Sequence, residues 1–343
     1  MTKTLLVVLP IPGFPDSYAQ FEKKYTEYKV VHINTKETGE VTADTWRKAN
    51  IIITLGKFPE SIEQVPNLEW IHLYSAGINQ VLQSPLYKSD KVTWTSGNGV
   101  HATQISEWIL TSMLAHYHQL PTMLEWQRER KWRDNDYKPK GEIFGKRVGI
   151  LGYGAIGRQT ARLAKGHGMD VVVYTLHEKR TPEQKASDTY TPKHSGDPEG
   201  TLPSKWYFGQ DQLNEFLSSG LDVLVATLPS TPLTLHMLSK KNFQLMPGAF
   251  ICNVSRGNII ATDDLIEALN DGTLGGAALD VTDPEPLPSE HPLWKAKNVY
   301  ITPHISGISD EYMPRTLEII GTNIERKAAG KKMINLVRKA DGY

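Results

Sequence analysis

The stretch from Lys146 to Gly157, Lys-Arg-Val-Gly-Ile-Leu-Gly-Tyr-Gly-Ala-Ile-Gly, limits what this chain can fold into more than any other. A basic pair leads into a short apolar strand, 148–151. Glycines follow at Gly152, Gly154 and Gly157, and then a helix-like run to Gly166 with Ala161, Leu163 and Ala164 as apolar members. In this spacing the first glycine permits a tight turn and the second lets backbone approach a pyrophosphate. The third lets the helix pack close to the strand. The helix start then offers N–H groups and a positive dipole end to phosphate. A second β-rich run at 171–175 completes the strand–turn–helix–strand context that separates a dinucleotide site from a mere packing turn.

At 343 residues the chain is long enough for two domains, each with its own core. Lys plus Arg balances Asp plus Glu at 38 each, so no basic field points to nucleic acid or to an anionic membrane. The single cysteine, Cys252, excludes an intramolecular disulfide, fits a reducing compartment and reads as a small core residue. The first apolar run stops at Pro10, too short for a signal peptide. No run approaches the roughly 18 apolar residues of a membrane helix. The expected location is the cytoplasm.

The first hundred residues alternate β-rich runs (5–9, 29–33, 51–55, 70–73, 92–95) with stretches compatible with helix (17–27, 43–49, 61–64, 78–82). That alternation predicts a small parallel α/β sheet. A long helical pattern over 103–130 follows, with Pro121 expected to break or kink it. Strands then read at 148–151, 171–175, 223–227, 250–254, 277–279 and 299–301, the rhythm of a doubly wound nucleotide-binding sheet. Residues 176–209 interrupt it. Rich in Pro, Gly, Ser, Thr and charge, they read as a surface excursion, partly disordered or functional. The tail, 308–343, reads as one helix returning to the first domain, with Lys331–Lys332 and Arg338–Lys339 forming a solvated basic end. The expected class is α/β with two doubly wound parallel-sheet domains. One is flavodoxin-like (1–101 plus 308–343) and the other a Rossmann NAD(P)-binding domain (102–307).

An NAD-binding unit places an acid about twenty residues beyond the glycines to accept the adenosine ribose hydroxyls. Here Thr175 occupies that position, followed by His177, Lys179 and Arg180. A hydroxyl with nearby cations suits a 2′-phosphate that a carboxylate would repel, although Glu178 lies among them. NADPH/NADP+ is therefore expected over NADH.

Three further stretches carry reactive groups: Asn253-Val-Ser-Arg-Gly257 with Arg256, Leu279-Asp-Val-Thr-Asp-Pro-Glu-Pro-Leu287 with Glu285, and Thr302-Pro-His-Ile-Ser-Gly307 with His304. All follow presumptive parallel strands, where open α/β sheets bind ligands. Together with Gly-Tyr-Gly-Ala-Ile-Gly (152–157), Leu-Pro-Ser-Thr-Pro-Leu-Thr (228–234) and Ala-Leu-Asp-Val (278–281), they make the chain resemble the D-isomer-specific 2-hydroxyacid dehydrogenases, glyoxylate/hydroxypyruvate reductases among them. The first hundred residues match loosely, through Tyr-Ser-Ala-Gly-Ile-Asn (74–79) and Asn-Gly-Val-His-Ala (98–102).

The resemblance implies reversible reduction of a 2-oxoacid to the D-2-hydroxyacid. Arg256 would hold the carboxylate and ketone with its planar fork. Backbone N–H groups around Ser75, Ala76, Gly77 and Ile78 would receive the carboxylate, making the first domain the substrate domain. His304 would donate a proton to the ketone oxygen, and Glu285 would fix its tautomer and favour the imidazolium. Ala155 and Ile156 would join the glycines at the pyrophosphate, and Leu228 and Thr234 would lie near the adenosine side. The Val254 backbone and Asp280, at the carboxamide, would hold the nicotinamide.

His116 and His118 face different ways on a helix and no acid or thiol joins them, so no metal site is expected. His101 reads as a hinge or cap. Trp94, Trp108, Trp126, Trp132 and Trp294 read as core and interface aromatics. Apolar residues over 103–130 suggest a dimer face, and the resemblance implies a homodimer. The competing class is a nucleotide-sensing corepressor on the same scaffold. Charge neutrality and the lack of an interaction tail favour the enzyme. A formate-type reaction is disfavoured, since it has no ketone for His304 to protonate.

Overall fold

The computed structural model describes residues 2–135, 137–187 and 189–337. Arg338 and Lys339 lie outside them. The chain divides into two compact units: Met1–Val100, Asp188–Pro192 and Ser309–Tyr343 form the first, His101–Ser187 and Lys193–Ile308 the second.

The first unit holds a five-stranded parallel sheet in the order β2-β1-β3-β4-β5, with β1 at Lys3–Leu9, β2 at Tyr28–Asn34, β3 at Ala49–Thr54, β4 at Trp70–Leu73 and β5 at Trp94–Ser96. β1 (Lys-Thr-Leu-Leu-Val-Val-Leu) and β3 (Ala-Asn-Ile-Ile-Ile-Thr) lack polar alternation because both faces of a parallel sheet are covered. Leu5, Val7, Leu9, Ile51 and Ile53 pack under Phe21 and under Met313, Leu317 and Ile320 of the tail helix, Tyr312–Ala328. Leu6, Val8, Ile52 and Ile71 pack on the opposite face with Trp46, Val81, Leu86 and Trp94. Each such side chain contributes about 1.5–3 kcal/mol on full burial. Beyond the helix the tail runs back along the sheet edge: Leu336 bridges Thr95, and Val337 N–H donates to Trp94 O at 3.0 Å.

The second unit holds a seven-stranded parallel sheet, order β12-β11-β10-β9-β6-β7-β8. Its strands are β6 Arg147–Leu151, β7 Asp170–Thr175, β8 Lys205–Phe208, β9 Val223–Ala226, β10 Phe250–Asn253, β11 Gly276–Leu279 and β12 Val299–Ile301. The order reverses between β6 and β9, the switch point at which such sheets bind ligands. Helices Ala102–Tyr117 and Ala155–Gly166 cover one face through Ile105, Ile109, Met113, Ala161 and Ala164. Phe216, Phe243, Leu265 and Leu269 cover the other.

The expected break near Pro121 is present, and one expectation needs correction. The helical pattern over 103–130 is two helices, Ala102–Tyr117 and Leu120–Arg128, parted at Gln119 in the left-handed region (φ 51°). Pro121 sits in the first turn of the second helix, where its missing N–H costs nothing; its ring would have clashed with a continuing first helix. In the excursion, the described residues 176–187 and 189–209 are built into the fold. Lys-Trp-Tyr-Phe (205–208) adds β8 at the sheet edge, a strand too short to stand out among polar neighbours. Within the first unit Tyr190 joins Val100 and Ile319, receives the Asn335 Oδ1 acceptor at its N–H (3.0 Å), and donates its hydroxyl to Glu318.

Candidate active site

In a parallel sheet all strand ends of one kind lie on one edge. Gly152 follows β6, Thr175 ends β7, Leu228 follows β9, Val254 to Arg256 follow β10, Asp280 to Glu285 follow β11, and His304 follows β12. The topology alone therefore gathers the expected nucleotide and catalytic residues of this unit at its carboxyl edge. Ser75, Ala76, Gly77 and Ile78 belong to the first unit, where Ser75 Oγ donates to Gly77 O (2.7 Å) and accepts from Gln80 Nε2 (2.6 Å).

The glycine turn has the shape a pyrophosphate needs. Gly152 has φ +94°, and Thr227 Oγ1 donates to its carbonyl at 2.7 Å, closing the turn onto β9. A Cβ on Gly157 would lie 2.3 Å from Gly152 O, so only glycine lets the helix start this close to the strand. Around Gly154 there is open space, and no side chain caps the helix that begins at Ala155. Those features fit an anion held by backbone N–H groups. Leu228 packs over the turn, 3.2 Å from where a Gly152 Cβ would be.

At the end of β7, Thr175 Oγ1 donates to His177 O (2.8 Å). Arg180 is exposed and its Nε pairs with Glu178 at 2.7 Å, so one of the cations expected to greet a 2′-phosphate is matched by its own acid. Thr234 is buried and its hydroxyl is spent inside its turn, donating to Pro229 O (2.8 Å) and accepting from Thr231 N–H (2.8 Å); it shapes the 228–234 loop.

His304 Nδ1 donates to Glu285 Oε1 at 2.6 Å, with both side chains half exposed. Glu285 lies between two cis prolyl bonds, Asp283–Pro284 and Glu285–Pro286. The loops after β10 and β11 touch backbone to backbone: a Cβ on Gly257 would fall 1.9 Å from Thr282 O. Arg256 is fixed at its own turn, its carbonyl accepting from Asn253 Nδ2 (2.9 Å) and its guanidinium donating to Ser255 O (2.7 Å).

Asp280 departs from expectation. Its carboxylate is 2% exposed and accepts from Thr302 Oγ1 (2.6 Å), Ile305 N–H (2.9 Å), Ser306 N–H (3.0 Å) and the Ser306 hydroxyl. Its carbonyl takes the His304 N–H (2.9 Å). A carboxylate offers about four acceptor positions, so none is left for a nicotinamide carboxamide. Asp280 instead clamps the segment that presents His304, whose φ of 55° is unusual for a non-glycine residue.

His101, expected as a hinge or cap, makes no side-chain cap to its helix. Burial, with the positive charges of Arg256 and His304 close by, lowers its pKa to about 4. It also packs against Gly307, three residues beyond His304. It is thus a neighbour of Arg256 and His304, and its place in the 98–102 motif was the signal available in the sequence. Cys252 is fully buried in β10 and its thiol pKa is pushed up, which removes it as a nucleophile. His116 stacks on Phe250 at 4.2 Å, a core position. Trp94 is core, but Trp132 and Trp294 are largely exposed.

A seven-stranded doubly wound sheet, a pyrophosphate-shaped glycine turn and an acid-supported histidine at one edge define a dinucleotide-binding protein equipped for proton transfer. The chain belongs to the D-isomer specific 2-hydroxyacid dehydrogenase family, whose NAD binding domain matches residues 110–306. It is 30% identical to a hydroxypyruvate reductase of Blautia hydrogenotrophica over 82% of this chain and 81% of the relative. It is 31% identical to glyoxylate/hydroxypyruvate reductase A of Serratia proteamaculans over 71% and 69%. The crystal structure of a D-isomer specific 2-hydroxyacid dehydrogenase from Xanthobacter autotrophicus Py2, in complex with NADPH and MES, matches with TM-score 0.78 and 25% identity over 100% of both chains.

Proposed function

We propose that this chain reduces a 2-oxoacid to the D-2-hydroxyacid, reversibly, with NADPH preferred and NADH a poorer partner. The observation that carries the reading is the 2.6 Å His304–Glu285 pair at the same sheet edge as the glycine turn. Gly152, Gly154, Ala155, Ile156 and Gly157 would hold the pyrophosphate, and Leu228 the adenosine side. Thr175, His177, Lys179 and Arg180 would face the 2′-phosphate, and the Val254 backbone the nicotinamide. The bound dinucleotide supplies the hydride.

The remaining chemistry falls to side chains. Arg256 anchors the substrate carboxylate through a two-point contact that lysine cannot reproduce. Ser75, Ala76, Gly77 and Ile78 contribute backbone N–H groups to the same carboxylate. Because Glu285 takes the Nδ1 proton, the other ring nitrogen, Nε2, is the one that gives a proton to the ketone oxygen and recovers it in the reverse direction. The single buried cysteine goes with a reducing, cytoplasmic setting. The partners are the small-molecule substrate and a second copy of the chain; the exposed Leu120, Met123, Leu124 and Trp132 support a homodimer through that face.

The test is NADPH absorbance on mixing with glyoxylate, hydroxypyruvate and bulkier 2-oxoacids, repeated with NADH. Oxidation is expected with at least one, faster with NADPH, and His304→Ala should slow turnover by about 10²–10⁴. NADPH that binds but is oxidised by none of them would instead make this a nucleotide-sensing protein.

A further inference from the structure

Lys185 and residues 196–202 of the excursion are anchored on the phosphate turn and its helix. Asp197 is 4% exposed; its Oδ2 accepts the Tyr153 hydroxyl at 2.6 Å and the Leu202 N–H at 3.1 Å, and its Oδ1 the Thr201 N–H at 3.0 Å. Tyr153 is the residue between the first two glycines of the phosphate turn. Arg158, 6% exposed, donates from Nε to Tyr153 O (3.0 Å), from one terminal nitrogen to Asp197 O, and from the other to Lys185 O (2.6 Å). Its guanidinium also lies over the Tyr153 ring, 4.8 Å from the centroid. Gln159 accepts the Gly196 N–H (2.5 Å), and Arg162 Nε donates to Gly196 O (2.6 Å). Tyr153, Arg158, Gln159 and Arg162, which receive residues 185 and 196–202, thus belong to the turn itself or the first two turns of its helix.

We propose that this excursion is a brace for the phosphate turn, and that Asp197 is a positioning residue for dinucleotide binding, acting through Tyr153 and Arg158. The inference rests on the dinucleotide reading of the glycine turn. A pyrophosphate is held by backbone N–H groups, whose directions are set by the local peptide planes. Those planes have no side chains of their own at the glycines, so the residue between them is the handle by which they can be fixed. Asp197 grips that handle from outside, and Arg158 ties the Tyr153 carbonyl to the same segment. A buried carboxylate and guanidinium so fully hydrogen-bonded hold one geometry, because any other leaves a charge without partners.

Tyr153→Phe removes the contact, and Asp197→Asn removes its charge and one of the two acceptor oxygens, each keeping side-chain shape. Binding of NADPH, followed by its fluorescence, should weaken about tenfold, the affinity equivalent of one charge-assisted hydrogen bond. Adenosine 2′-phosphate lacks the pyrophosphate, so its affinity should hold within about twofold, as should kcat at saturating NADPH, leaving KM for NADPH as the kinetic parameter that moves. Unchanged NADPH affinity in both variants, or an equal loss for both ligands, overturns the brace. A fall in thermal midpoint alone would likewise reduce Asp197 to a structural residue. If Asp197→Asn fails to fold, Tyr153→Phe decides. A wild-type chain that binds no NADPH overturns the dinucleotide reading itself, and the brace with it.

Discussion

At the scale of single residues, the site is decided by which charges are already matched. His304 is matched by Glu285 and Asp280 by four donors, whereas the cations after β7 are matched incompletely. Arg180 spends its Nε on Glu178, a partner at 2.7 Å on an exposed loop. Exposed pairs of this kind are weak, so a 2′-phosphate with its larger charge can displace the acid, yet the acid still repels it. Glu178→Gln should therefore raise kcat/KM for NADPH while leaving that for NADH nearly unchanged. A drop in NADPH efficiency would mean that Glu178 orients Arg180 rather than opposing its ligand. The proposed catalytic trio was selected from the sequence because each member stands in a distinctive motif after a strand. The true duty of Asp280 was not, because a motif records that an acid is present and not which donors surround it.

At the scale of elements, the three loops after β10, β11 and β12 act as one laced assembly. Gly257 lets the first meet the second, Thr262 Oγ1 donates to Asp283 O (3.1 Å), and Asp280 holds the third. Asp280→Ala would strand the buried N–H of Ser306 without an acceptor, at a cost of about 1–3 kcal/mol, and would free the Ile305 N–H as well. Urea unfolding should register that loss, and turnover should fall with it as His304 leaves its left-handed conformation. Full activity in a destabilised Asp280→Ala would show that the clamp serves the fold alone. The interrupted helix and the edge strand β8 mark where sequence patterns give out. A periodic run does not show whether proline sits inside one helix or begins the next, and four residues are too few to outweigh polar neighbours.

At the scale of the whole molecule, each unit carries histidines that the fold keeps neutral. His72 in the first unit is held at a pKa of about 3 by burial, and His116 in the second at about 3 by burial and then by the charge of Lys140. An unfolded chain takes up protons on both near their ordinary 6.5, whereas the folded chain does not until far lower. Stability should therefore decline as pH falls from about 6.5 towards 4, before carboxylates contribute. Urea midpoints across that window measure it, and His116→Phe should flatten the slope; a flat wild-type profile would contradict the assignment. Further down, Glu69 has its own effect. Burial would raise its pKa, but the Lys3 and Lys327 ammoniums at 2.5 and 2.6 Å outweigh it and hold the carboxyl below its ordinary range, so its stabilisation is lost only in stronger acid. The exposed Leu120, Met123 and Leu124 of one helix are the surface proposed for self-association. Sedimentation at micromolar concentration should give a dimer that Leu124→Glu dissociates, and a monomeric wild type would refute it.

The amino-acid sequence by itself determined the two-sheet α/β class, the phosphate turn and the motifs in which Arg256, Glu285 and His304 stand. Unbroken apolar strands, glycine spacing and motif chemistry are local properties, readable within about a dozen residues. Only the tertiary structure decided that Asp280 holds a loop, that His101 neighbours the charges of Arg256 and His304, and that a residue 44 positions beyond Tyr153 grips the glycine turn. Those roles depend on which distant donors and acceptors arrive at one place, and hydrogen-bond partnership across the fold leaves no periodic trace in the chain.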